Sequence, residues 1–141
     1  MKEINVYLTF DGNAREAMQF YAKALGAKLQ LMTFGQMPDP NVPKEAKNKV
    51  MHARLSKGAL AIMASDTMPG MPFTKGNNFS VSVACGSAKE AERLFKAFSE
   101  KGAVTMPLQK TFWADRFGAL TDKFGVNWMF NFEGKTKNPM G

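Results

Sequence analysis

The chain has 141 residues, 45% of them hydrophobic and 22% charged, with a formal net charge of +7. That length suits one ordinary domain with a real core, and no apolar run approaches the roughly 20 residues of a membrane-spanning helix. The positive charge is spread along the chain (Lys44, Lys47, Lys49, Lys89, Arg93 and Lys101 stand among acids and apolar residues), with no basic arm, zinc knuckle or aromatic RNA-binding box, so nucleic acid is not expected and anionic small molecules are preferred over cationic ones.

The first strand-like run is "INVYLTF", in which Val6, Leu8 and Phe10 alternate with Asn5, Tyr7 and Thr9. The phrase "GNAREAMQFY" follows. Asn13 and Glu16 have capping-box spacing, and Ala17, Phe20, Tyr21, Ala24 and Leu25 form an apolar helical stripe that Gly26 closes. A second strand, "AKLQLMTF", leads into "FGQMPDPNVPKEAKN". This Pro-rich loop at about 35–48 reads as a lid or a dimer arm. "KVMHARLS" is a third strand, in which His52 alternates with Val50 and Arg54, so that these three are expected to share a face. "GALAIMASD" is a fourth.

After "TMPGMPFTKGNN", a linker at 67–78, the order repeats. "FSVSVAC" is a strand carrying Cys85, the single cysteine. No intrachain disulfide is possible, and an inert, strand-buried thiol in a reduced, cytoplasmic protein is the expectation. The N-terminus shows no secretory signal pattern. "GSAKEAERLF" restates the helix phrase with Ser87 and Glu90 at capping-box spacing, the stripe Ala91, Leu94, Phe95 and Phe98, and Gly102 as the expected stop. "AVTMPLQ", "RFGALTD" and "GVNWMFNFE" complete the second set. Aligned at constant offset, "GALAIMASD" and "GVNWMFNFE" place Asp66 opposite Glu133, two acids at module ends that are expected to be exposed.

The chain therefore reads as α+β, a single domain over 1–141 of two tandem βαβββ modules. These span about 4–66 and 79–133, with a tail at 134–141. Modules of this size seldom support separate cores, so a shared one is expected. Each helix covers one sheet face. Trp128, Phe130 and Phe132 belong on the helix side, while Asn127, Met129 and Asn131 face a cavity within a curved, half-barrel-like mixed sheet.

In the phrases "YLTFDGNAREAMQFYAKALGA", "FGQMP", "KVMHARLSKGALAIMASD" and "QKTFWADRFGALTDKFGVNWMFN" the chain resembles the PhnB-like branch of the vicinal oxygen chelate superfamily. That superfamily includes glyoxalase I, extradiol dioxygenases and bleomycin-resistance proteins. The branch also bears the label 3-demethylubiquinone-9 3-methyltransferase-like, but no glycine-rich strand-to-helix turn for S-adenosylmethionine is visible here. The resemblance implies a homodimer. It also implies three metal-ligand positions, usually His, His and Glu. These fall on Tyr7 (or Val6), on Val81 (or the flanking Ser80 or Ser82), and on Met129. Such a set lacks the imidazole and carboxylate donors that catalytic metal sites use, so no metal and no cofactor are expected.

The pocket candidates are Tyr7, His52, Arg54, Trp113, Arg116, Asn127 and Met129. His52 is a strand histidine or a general base, and Arg54 beside it is an anion site or a solvated edge arginine. Asp115 and Arg116 form an ion pair that fixes a loop, or grip a ligand. Trp113 is a cavity wall or a dimer anchor. The expected function is a metal-free homodimer that binds a small organic, possibly anionic, ligand. The alternative is a lyase, dioxygenase or transferase of the superfamily that works through a non-standard metal site or through His52.

Overall fold

The computed structural model describes residues 1–68 and 70–140, so Pro69 of the linker and Gly141 of the tail lie outside the described residues. The chain divides into two compact units, Met1–Thr74 and Lys75–Gly141, with the boundary inside the Pro- and Gly-rich stretch. The first unit runs β1 (Val6–Phe10), α1 (Ala14–Leu25), β2 (Lys28–Thr33), β3 (Val50–Lys57) and β4 (Leu60–Asp66). The second runs β5 (Val81–Ala84), α2 (Ala88–Ser99), β6 (Ala103–Gln109), β7 (Arg116–Thr121) and β8 (Asn127–Phe132). Each is the βαβββ module that the sequence predicts, so the α+β class holds. Among the described residues no helix is long and apolar enough to cross a membrane.

Each unit forms a four-stranded mixed sheet, in the orders β1-β4-β3-β2 and β5-β8-β7-β6. The first strand of each lies parallel to the last, and the remaining pairs are antiparallel. Neither order closes into a barrel. In the first unit α1 covers β2, β3 and β4, burying Ala14, Ala17, Met18 and Tyr21 against Leu8, Phe10, Ala53, Leu55, Ile62 and Ala64. In the second, α2 lays Phe95 and Phe98 on β8, where Phe98 meets Trp128 and Phe130 edge-on at 4.7 and 5.2 Å between centroids. The aromatic side of β8 is the helix side, as its alternation predicts.

The two helices begin differently. Ser87 accepts a hydrogen bond from Glu90 N–H at 3.0 Å, a side-chain cap of the predicted kind. Asn13 makes no such bond. Its place is taken from a distance by Asp66, whose Oδ1 accepts the Gly12 and Ala14 N–H groups at 3.0 and 2.9 Å while Oδ2 accepts that of Val50 at 2.9 Å. Because β4 runs beside β1 in parallel, Asp66 pairs with Phe10 at the point where the chain turns into α1. A carboxylate there meets the positive end of the helix, which an amide serves less well.

Asp66 is accordingly buried, 5% exposed, and the expectation of an exposed acid fails for it. Glu133 is exposed, because the constant-offset alignment of the last strands is one residue out of phase. Ile62, Ala64 and Asp66 face the helix in β4, as Trp128 and Phe130 do in β8, which makes Phe132 the counterpart of Asp66. The hairpins explain the slip. Gly58 sits in a two-residue turn between Lys57 and Leu60, whereas Gly125 sits in a five-residue turn between Thr121 and Asn127. A one-residue shift exchanges the faces of a strand.

Helix stops differ too. Gly26 is left-handed at φ 65°, as expected of a C-terminal glycine. Gly102 is not the stop: α2 ends at Ser99, and Lys101 takes the positive φ. Gly102 is small for another reason, since a Cβ there would run into the Thr121 carbonyl and the Asp122 backbone.

Candidate functional site

In the first sheet, burial of Leu8, Ala53, Leu55 and Ala64 under α1 leaves Tyr7, His52, Arg54 and Met63 on the opposite, open face. Strand register sets Tyr7, Met63, Arg54 and Gln30 in one row across β1, β4, β3 and β2, and His52 opposite Met32 in the next row. Tyr7 reaches over β4, so its hydroxyl lies 3.1 Å from His52 Nδ1 and the two rings stack at 5.8 Å between centroids. When the phenol donates to Nδ1, the ring proton sits on Nε2, which then is itself a donor. An Arg54 Nη1 rests 3.9 Å from the Met63 sulfur, and among the described residues no carboxylate pairs with this half-buried guanidinium. Tyr7 and Met32 stay 46% and 44% exposed. The face thus offers phenol, imidazole and guanidinium above a thioether floor. A phenol bonded to an imidazole can also pass a proton.

Val50 does not share this face. The register shifts between Met32 and Thr33, which leaves Met51 unpaired opposite them and sends Val50 into the core, where it is fully buried.

In the second sheet the open face carries Ser82, Met129, Asn127, Asn131 and Phe117, with Ser82 paired to Met129 and Phe117 to Asn131. The Trp113 ring meets Phe117 at 5.2 Å and Phe112 at 4.8 Å, and Phe112 is 75% exposed. The amide of Asn127 is occupied: Oδ1 accepts the Thr121 hydroxyl at 2.6 Å and Nδ2 donates to the Phe79 carbonyl at 3.3 Å. Asn131 Oδ1 is buried without a hydrogen-bond partner among the described residues.

Arg116 does not join these residues. It pairs with Phe132 on the helix side, forms an ion pair with Glu92 of α2 at 3.4 Å, and donates to the Asp115 carbonyl. The Asp115 carboxylate turns instead to the tail. It accepts the Thr136 hydroxyl and the N–H groups of Lys135 and Thr136, and these bonds, the hydroxyl first, hold it below the usual carboxylate range. The expected Asp115–Arg116 ion pair is therefore two separate fastenings. Met63 and Phe117 line the open faces without having been placed there by the sequence reading. Their parity with Tyr7 and with Met129 is the signal that finds them.

Register also sorts the positions that the resemblance offers for metal ligands. Tyr7 and Ser82 take the open face, while Val6 and Val81 turn toward the helices; Met129 lies beside Ser82. Neither the Tyr7 phenol, already bonded to His52, nor the Ser82 hydroxyl or the Met129 thioether is an imidazole or carboxylate donor of the kind that Zn, Mn or Fe(II) sites use. Among the described residues no three His, Cys, Asp or Glu side chains gather in metal-binding proximity. The residues do not fit the superfamily's metal.

Cys85 lies just past β5 and is half-buried rather than in the strand. Desolvation, then the Glu90 charge, pushes its pKa up to about 11, which keeps the thiol protonated and weakly nucleophilic. The loop between β2 and β3 contains two short 3₁₀ turns, Phe34–Gln36 and Lys44–Ala46. Its base is pinned by bonds from Phe34 and Gly35 to the Lys49 and Lys47 carbonyls.

Comparison with known proteins agrees with this architecture. The family described as 3-demethylubiquinone-9 3-methyltransferase matches residues 2–130. Protein YjdN of Escherichia coli is 33% identical over 138 residues, covering 91% of this chain and 93% of that one. The crystal structure of protein PA1353 from Pseudomonas aeruginosa superposes with a TM-score of 0.87 at 48% identity, over 94% of this chain and 98% of the other. A PhnB protein from Bacillus cereus gives 0.77 at 27% identity, over 93% and 99%.

Proposed function

The chain belongs to the PhnB-like family described as 3-demethylubiquinone-9 3-methyltransferase, and on that premise we propose that it is a metal-free homodimer that binds a small organic molecule on an open sheet face. One observation carries this reading. At the places where metal-dependent relatives put their ligands the chain has Tyr7, Ser82 and Met129, and the Tyr7 phenol is engaged with His52. Each open face, taken by itself, carries aromatic and thioether side chains with few, well-spaced polar groups, the usual make-up of an organic binding site. A reduced, cytoplasmic setting is supported by the single cysteine, which can form no intrachain disulfide. The dimer is supported by the family resemblance and by β6, an edge strand that is mostly exposed and presents Val104 and Met106 outward.

Elemental mass spectrometry on protein purified without chelators, then dialysed, tests the metal-free reading. The expected result is less than about one-tenth of a transition-metal ion per chain. One tightly held Zn, Mn, Ni or Fe per chain overturns it.

A further inference from the structure

We propose that His52 and Arg54, on the open face of the first sheet, recognise the anionic head of a small organic acid, a carboxylate or a phosphoryl group, with the Tyr7 hydroxyl orienting His52 and the Tyr7 ring and Met32 receiving the apolar body. The inference rests on the binding reading above and names the class of ligand.

Three observations converge on it. Arg54 is half-buried, and its only polar contact among the described residues is the weak Met63 thioether, so its planar fork is unmatched by any carboxylate among them. His52 stands two residues away on the same face of β3, about 6.6 Å along the strand. When the Tyr7 hydroxyl donates to Nδ1, the Nε2–H of His52 is a second donor. An anion seated between the two receives hydrogen bonds from both and neutralises a charge that the chain leaves unpaired. Beside this polar pair the exposed Tyr7 ring and Met32 provide apolar surface for the remainder of the ligand, and the net charge of +7 favours an anion at longer range.

The test is a heteronuclear NMR titration of the labelled full chain with four probes that share one ring: benzoate, phenyl phosphate, benzyl alcohol and benzylamine. The Arg54 Nε–H signal and the β3 amides are followed. Both anions are expected to bind at least about tenfold more tightly than the alcohol, and benzylamine more weakly than either. Tighter binding of phenyl phosphate than of benzoate assigns a phosphoryl head, and the reverse order a carboxylate. Arg54→Met is expected to lose about tenfold or more in anion affinity while benzyl alcohol changes less than about twofold. Should Arg54→Met lose its folded amide dispersion, Arg54→Lys carries the comparison, with an expected loss of about threefold from the missing fork.

Anion binding unchanged in these variants, or equal affinity for all four probes, overturns the anion assignment. Benzyl alcohol bound on this face would then still support the binding reading. No shift on this face with any probe overturns both.

Discussion

Asp66 organises more backbone than any other described side chain of the first unit. Its two oxygens accept three N–H groups, from the turn before α1, the first turn of α1 and the start of β3, the last two in buried surroundings. An asparagine in its place keeps one accepting oxygen and points an NH2 group at an N–H, so at least one buried donor loses its partner. Asp66→Asn is therefore expected to cost about 2–4 kcal/mol, read as a shift of the denaturant midpoint. A loss below about 0.5 kcal/mol would contradict the capping role. Asp122 does similar work in the second unit, accepting the Phe124 and Val126 N–H groups and the Trp128 indole N–H at 2.8–2.9 Å. Asp66 ends β4 and reads in the sequence as a solvated terminus, whereas Asp122 follows β7 in the turn to β8. What separates Asp66 from Glu133 is the face on which the pleat puts it.

At the level of elements, the two modules share a plan and differ in its execution. The helix of the second unit is capped locally by Ser87, and Glu90 also accepts the Gly86 N–H at 2.9 Å. The helix of the first is capped from β4. Ser87→Ala is expected to cost about 1 kcal/mol, whereas Asn13→Ala changes stability by a few tenths, since the Asn13 side chain caps nothing. Equal losses in thermal or denaturant unfolding would show that the two caps are equivalent after all. The periodicity of each helix and strand is legible in the sequence because burial under one helix imposes it. The Met51 bulge is not, because it depends on how β3 pairs with β2 across the long loop, and the unequal hairpins are not, because turn length shifts the register without changing the alternation within either strand.

At the scale of the molecule, the free edge of the second sheet matters most. Among the described residues β6 pairs only with β7, its register shifts twice, and Val104 and Met106 are exposed, an edge that isolated proteins usually protect with charge. A second copy laid along it would cover both side chains. Light scattering behind size-exclusion chromatography is expected to give twice the 15.6 kDa chain mass for the native protein, and the single-chain mass for a Val104→Lys/Met106→Lys variant. A native protein at the single-chain mass removes the homodimer from the proposal.

The amino-acid sequence by itself determined the doubled βαβββ plan, the helix faces and the aromatic side of β8, because these follow from short-range alternation and capping that repeat along the chain. It also placed Tyr7, His52 and Arg54 among the residues of interest, by residue type and strand position. Only the tertiary structure decided which of the candidates meet. It set Tyr7 against His52 across β4, turned Arg116 to Glu92 on the helix side, and buried Asp66 beneath α1. Those outcomes depend on strand order and register, and a parallel pairing of the first and last strands brings together residues more than fifty positions apart, a distance over which local pattern carries no information.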